Sequence, residues 1–217
     1  MDGTIIDSEQ YWMASETTLV ESFGGTWTHE DGLSLVGSSM WHSARVLQGR
    51  GVNLSEVEII DHLTDKVHQL IVQDVPWRPG AMELLADVRA AGIRTALVTM
   101  SLRSLAELVV SLIDFPAFDA IVSGDDVEHA KPHPQPYLMG AELLGVDIAD
   151  CVALEDSLPG LASAVASGAV AIGIPHMVEM SEGDTHTLWP TLAGRTAHDL
   201  SGVFTAGKNH EAGNDND

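Results

Sequence analysis

Four short apolar runs, each ending in polar residues, limit this chain's fold more than any other feature. They are Thr95-Ala96-Leu97-Val98-Thr99, Ala120-Ile121-Val122, Cys151-Val152-Ala153-Leu154 and Ala169-Val170-Ala171-Ile172. Helical patterns over 81–91, 102–113, 136–144 and 159–167 precede or separate them, the first stopped by Gly92 and the last by Gly168. Strands apolar on both faces must be covered on both faces, which a parallel sheet flanked by helices provides. Ahead of Pro76-Trp77-Arg78-Pro79-Gly80 the pattern is only helical. Tyr11, Trp12, Leu19, Val20 and Phe23 fall near one helical spacing, and Val57, Ile60, Leu63, Val67, Leu70 and Ile71 near another. Trp41 to Leu47 is a third helical candidate. The expected plan is an α/β core with an all-helical insertion near its N-terminus. The tail from about Thr205, ending Gly213-Asn214-Asp215-Asn216-Asp217, reads as disordered.

Charge narrows the partners. Thirty-two acidic against ten basic residues leave a net −22, which repels nucleic acid and anionic lipid. A phosphate site on such a surface must be built locally from cations and backbone N–H groups. The single cysteine, Cys151, excludes an internal disulfide and a thiolate cage. No apolar run approaches the roughly 18 residues of a membrane span, and the acidic, turn-like opening does not read as a signal peptide. The expectation is a cytoplasmic monomer. The ten histidines are scattered without metal-ligand spacing, and no phosphate-binding glycine loop of the nucleotide type is present.

Open parallel sheets bind ligands beyond the carboxyl ends of their strands. The residues there form a coherent set. Asp2-Gly3-Thr4 opens the chain, and Thr99, Met100 and Ser101 follow the first run. Lys131 lies in Ala130-Lys131-Pro132-His133-Pro134, one of only three lysines, and Glu155-Asp156-Ser157 follows the third run. Carboxylates hold Mg²⁺, while hydroxyls, backbone N–H groups and an ammonium bind phosphate oxygens. These are the parts of metal-assisted phosphoryl transfer.

In this order the motifs resemble those of the haloacid dehalogenase superfamily, in particular its phosphatases and phosphomutases with an N-terminal helical cap. Asp2-Gly3-Thr4 is similar to the second half of the family's Asp-x-Asp-Gly-(Thr/Val) motif, Leu97-Val98-Thr99 to its second motif, Lys131-Pro132 to its third and Glu155-Asp156 to its fourth. The resemblance runs from Met1 to about Ile174. It implies a Rossmann-like three-layer parallel-sheet core, 1–7 and 77–204, a helical cap, 8–76, and a disordered tail, 205–217. It implies Asp2 as general acid/base and metal ligand, Thr99, Met100 and Ser101 as phosphate contacts, and Lys131 as the neutralising cation. Asp156 would be the metal carboxylate of the Mg²⁺ site, with Glu155 as second ligand or support. Gly37 and Ser38, in Leu35-Val36-Gly37-Ser38-Ser39, resemble the cap's substrate loop, with Arg45 as an anion contact, and Asp7-Ser8 and 76–80 would be the hinges.

Three departures matter. The family's nucleophile, the first aspartate of Asp-x-Asp, would lie one position before Met1. The expectation is an upstream apolar strand ending in that aspartate, and little or no turnover from the 217 residues alone. Trp12 stands where the β-phosphoglucomutase kind carries a histidine, which favours hydrolysis. Gln135 stands where Asp is usual after Lys-Pro-x-Pro. The expected function is Mg²⁺-dependent hydrolysis of a small phosphorylated metabolite, a sugar or polyol phosphate, through an aspartyl-phosphate. The rivals are a phosphomutase and a catalytically silent protein that binds a phosphometabolite.

Overall fold

The computed structural model describes residues 1–183 and 185–214, with side chains to residue 208. Four helices come first: α1 (Glu9–Ser22), α2 (His29–Leu33), α3 (Met40–Gly49) and α4 (Glu56–Gln73). The last three start where the sequence supplies an oxygen cap. Thr28 and Ser55 form capping boxes with Asp31 and Glu58, and Ser39 accepts from the His42 N–H. The stripe Ile59, Ile60, Leu63, Val67 and Ile71 buries α4 against α1 and α3. Each such side chain contributes roughly 1.5–3 kcal/mol by burial, so this stripe holds the cap together.

The rest alternates. In order come α5 (Ala81–Ala90), β1 (Ala96–Val98), α6 (Arg103–Ser111), β2 (Ala120–Val122), α7 (Gln135–Leu144), β3 (Val152–Glu155), α8 (Leu158–Ser167), β4 (Val170–Gly173), β5 (His186–Leu188) and α9 (Ala197–Asn214). A 3-10 turn at Ile148–Asp150 leads into β3. Every strand pair is parallel. Leu97 lies opposite Ile121, Ala153 opposite Ala171, and Ile172 opposite Thr187. Helix α7 packs on β1 and β2, and α8 on β3 and β4. The fold is an α/β core with a helical cap.

The strands form two sheets, β1-β2 and β3-β4-β5. Among the described residues β1 and β3 each have a strand partner on one side only. Between them runs a hollow of about 630 Å³, lined by Leu97, Val98, Ala153, Leu154, Ile5 and Phe118 among others. The cores divide along the same line. One cluster joins Leu97, Leu105 and Val109 to the cap helices, and two others gather on β3 and β4 around Tyr137 and Ile172.

Two connections join cap and core, and they hold each other. The Asp7 N–H donates to the Pro76 carbonyl at 2.7 Å, and the Arg78 N–H to the Ile5 carbonyl at 2.8 Å. His176 Nε2 meets Asp7 Oδ1 at 2.7 Å, and its other ring nitrogen meets Arg78.

The C-terminal part differs from the sequence reading in two ways. The sequence reading has no strand at β5, because His186-Thr187-Leu188, two polar residues and one apolar with none buried, carries no strand pattern. The tail expected to be disordered from 205 continues α9 to Asn214. Packing explains this: Val203 rests on the cluster of Leu84, Ile172 and Trp189, and Gly207 lies against Val170. Burial of those few positions outweighs the polar composition. Residues 215–217 lie outside the described residues. Among the described residues no helix is long and apolar enough to cross a membrane.

Candidate active site

The first six residues make a tight turn. The Ile5 N–H donates to the Met1 carbonyl at 2.8 Å and the Gly3 N–H to the Ile6 carbonyl at 2.8 Å. Gly3 has φ +66°, and a Cβ there would overlap the Asp156 carboxylate. Only glycine gives this left-handed turn so close to another side chain. Thr4 Oγ1 donates to Asp156 Oδ1 at 2.7 Å, which ties the start of the chain to the end of β3.

A cleft of about 80 Å³ opens at that junction. On its core side stand Asp2, Thr99, Met100, Ser101, Lys131, Glu155 and Asp156. The structure thus brings together the strand-end residues that the sequence singled out. Asp2 accepts from Ser8 Oγ, from Trp12 Nε1 at 3.1 Å and from Ser101 Oγ at 2.7 Å, with Thr99 Oγ1 at 3.5 Å. Donors from the cap helix and from the loop after β1 therefore fix one carboxylate between them. Helix α6 begins only at Arg103, so Met100 precedes its first turn and lines the cleft from the loop.

Lys131 is buried. Its Nζ reaches Glu155 Oε1 at 2.6 Å and the Val98 carbonyl at 3.0 Å. Tyr137 Oη donates to the same carboxylate, and Ser157 Oγ to Oε2 at 3.3 Å. Burial pushes the Glu155 carboxyl up, but the Lys131 charge and the bonds from Lys131 and Tyr137 outweigh it and hold the group below its usual range. Burial, then the Glu155 charge, drives Tyr137 well above the ordinary phenol value. Gln135 closes the loop that carries Lys131 by accepting from the His129 N–H at 2.6 Å.

Of the two roles open to Glu155, second metal ligand or support, its contacts favour support. Both Glu155 oxygens are engaged by protein donors, so Glu155 positions Lys131 instead of presenting a free ligand. Among the described residues no three His, Cys, Asp or Glu side chains converge as a ready-made metal group. The remaining donors are hard oxygens, the Asp156 carboxylate and the Asp2 backbone carbonyl, since both Asp2 carboxylate oxygens also accept protein donors. They suit Mg²⁺, which is commonly held by one or two carboxylates with waters and substrate phosphate. Burial, then the Glu155 charge, pushes the Asp156 carboxyl up to about 6. A cation beside it would reverse that push, so the residues present fit the ion.

The cap wall differs more from expectation. Gly37 and Ser38 line the cleft as expected. Gly37 has φ +76°, and a Cβ there would stand 2.5 Å from Ser157 Cβ, so the cap loop closes directly on the core. Arg45 is not brought to the cleft. It is exposed and pairs with Glu56 at 3.2 Å, because Met40, Ser43, Ala44 and Leu47 take the inward face of α3. Two acids that sequence reasoning missed are there instead. Glu9 and Glu16 are both buried and line the cleft with Trp12. Burial, then Asp2 and other nearby acids, drives Glu9 well above its ordinary value. Burial pushes Glu16 up to about 8, against the lowering influence of Trp27. The signal was available. Glu9, Trp12, Glu16 and Leu19 share one helical face, and acids on an apolar stripe need a reason to be there.

A parallel α/β core with one buried lysine, hydroxyls and carboxylates at its strand ends, closed by a helical lid, has the build of a capped hydrolase for anionic esters. The chain belongs to the haloacid dehalogenase-like hydrolase family, whose model matches residues 1–174. Hexitol phosphatase B of Escherichia coli (strain K12) is 31% identical over 183 residues, spanning 81% of each chain. Protein CbbY of Rhodobacter capsulatus is 31% identical over 196 residues, spanning 85% of this chain and 86% of the relative. Among solved structures, CbbY from Rhodobacter sphaeroides in complex with phosphate superposes with a TM-score of 0.83 at 26% identity, over 93% of this chain and 96% of that one. A β-phosphoglucomutase from Clostridium difficile shares the fold, with a TM-score of 0.80 at 20% identity over 94% of each chain.

Proposed function

We propose that this protein is a Mg²⁺-dependent phosphoric monoester hydrolase acting on a small phosphorylated metabolite, a sugar or polyol phosphate. The observation that carries this is the convergence of Lys131, Thr99, Ser101 and Asp2 on one cleft. The hexitol phosphatase relative supports the substrate class.

The residues divide the work. Lys131, held in place by Glu155 and Tyr137, offsets charge on the phosphoryl group. Thr99 offers a hydroxyl donor beside it, while the Ser101 hydroxyl lines the same cleft and gives its proton to Asp2. Asp2, oriented by Ser8, Trp12 and Ser101, passes its proton to the leaving alcohol and takes one back from the attacking water. Gly37 and Ser38 bring the cap down on the core and exclude bulk water. Asp156 and Asp2 would hold Mg²⁺, which when bound neutralises charge on the phosphate and on the attacking carboxylate.

We assign that carboxylate to an aspartate joined to Met1 from the upstream side, at the end of a strand between β1 and β3. The support is the hollow, not the position of Met1 in the sequence. Its walls are two edge strands, its lining is largely apolar, and Met1 borders both hollow and cleft. An aspartyl-phosphate formed there would lie between Lys131 and Asp2.

Trp12 supports hydrolysis over the mutase reaction. Its indole N–H donates to Asp2 and has no basic nitrogen with which to relay a proton. The test is phosphate release from hexitol, sugar, glycolate and nucleotide monophosphates, with Mg²⁺ and with chelator, by the chain carrying its upstream strand. Mg²⁺-dependent release from sugar or polyol phosphates is the expected result. Conversion of a hexose 1-phosphate to the 6-phosphate would select the mutase. Tight binding without any turnover would select the silent binding protein.

A further inference from the structure

The cap wall of the cleft carries an acid that the proposed reaction does not use. Glu16 lies two helical turns beyond Glu9 on the same face of α1 and is 5% exposed. It lines the cleft, and its Oε2 has no hydrogen-bond partner. Trp27 Nε1 lies near enough to pull on the carboxyl but not at bonding geometry, so it leaves Oε2 open to a better-placed donor. A buried polar atom without a partner that faces a cleft is a place for a ligand atom to bond.

The charges around it narrow the ligand. Among the described residues Lys131 is the only lysine or arginine on the cleft wall, and it is already bound to Glu155. Of the nearest cap cations in sequence, Arg45 pairs with Glu56, and Arg50 pairs with Asp31 over the Trp27 ring, and neither lines the cleft. What the cap offers instead is Glu9, Glu16 and the hydroxyls of Ser38 and Ser43. A second phosphate or a carboxylate at that end would find no counter-charge, whereas alcohol groups would find acceptors.

We propose that Glu16 is a specificity-determining residue, accepting a hydrogen bond from a hydroxyl on the leaving-group end of the substrate. It thereby selects a neutral polyhydroxy monophosphate over a bisphosphate or a phosphorylated carboxylate. This rests on the phosphatase reading, which sets the phosphate at Lys131 and the alcohol toward the cap.

The test uses the chain carrying its upstream strand and, in that chain, the variants Glu16→Leu, Glu16→Met and Glu16→Gln. Affinity is measured by calorimetry for a hexitol 6-phosphate, a pentulose 1,5-bisphosphate, phosphoglycolate and inorganic phosphate, and phosphate release is followed in parallel. Leu and Met weaken the hexitol phosphate roughly 10–100-fold, mostly in KM, and change inorganic phosphate less than about twofold. Gln, which keeps an acceptor oxygen, stays within about threefold of the parent. Either apolar variant suffices once thermal melting shows it folded. An unchanged preference among the three esters overturns the proposal. So does an equal loss of hexitol phosphate and inorganic phosphate, the mark of a structural role. If Glu16 discriminates in binding while no ester is turned over, the phosphatase reading fails and the role of Glu16 stands.

Discussion

Met1 borders two hollows that differ in kind. Toward the cap lies the small cleft of about 80 Å³, walled by carboxylates, hydroxyls and one lysine. Toward the sheet lies the hollow of about 630 Å³, walled largely by apolar side chains and two unpaired strand edges. In the cleft most polar groups are already held by a partner, as Glu155 is by Lys131, Tyr137 and Ser157. In the hollow, among the described residues, no strand pairs with the facing edges of β1 and β3. The first arrangement is organised for chemistry. The second is lined largely by apolar side chains, and the proposed upstream strand would fill it. A closed void of that size would cost on the order of 15 kcal/mol, as much as the whole stability of a domain.

The largest expected effect comes from filling the hollow. Joining to Met1 an apolar run of four or five residues ending in aspartate raises stability on the order of 5 kcal/mol, after the cost of ordering the segment. Urea unfolding measures the gain, and hydrogen exchange locates it at β1 and β3. An added segment that leaves both unchanged breaks the contrast between the hollows. The next effect belongs to the cleft. Lys131→Met leaves Glu155 buried and unpaired, which costs roughly 3–5 kcal/mol, and also weakens inorganic phosphate binding more than tenfold. Unfolding and calorimetry read the two losses separately.

The third effect is one of pH. Folding raises the Glu16 carboxyl from 4.5 to about 8. The folded chain therefore holds a proton that the unfolded chain has released across that window. The stabilisation is complete below 4.5 and is lost as pH rises toward 8. Glu16→Gln cannot ionise, so its unfolding free energy stays flatter and exceeds the parent's by on the order of 3 kcal/mol near pH 8. Parallel pH profiles for parent and variant would show that this corner of the cleft is wet. The smallest effect is a control. Arg45→Ala removes only an exposed ion pair, and changes stability by about 0.5 kcal/mol or less and phosphate affinity not at all.

Much of the cleft was legible because Thr99 and Asp156 follow recognisable apolar runs, while Lys131 and Asp2 stand in the distinctive contexts Lys131-Pro132 and Asp2-Gly3-Thr4. Thr99, Lys131 and Asp156 could be named from local pattern alone. The role of Glu155 was not legible. A Glu-Asp pair after a strand looks the same whether both acids face a cation or one is held by a lysine 24 positions earlier and a buried tyrosine. Arg45 misled for a similar reason. Its nearness in sequence to Ser38 and Ser39 says nothing about which face of α3 it takes.

The sequence by itself determined the alternation of strands and helices, the helical character of residues 9–73 and the chemistry collected at the strand ends. Apolar periodicity, caps and turn residues act over a few neighbouring positions, and so can be read there. Only the tertiary structure decided which acids face the cleft, which of them Lys131 takes, that α9 continues through the polar tail, and that the two sheets stand apart. Those outcomes depend on burial and charge between residues as much as 152 positions apart, as with Thr4 and Asp156, and no local pattern records them.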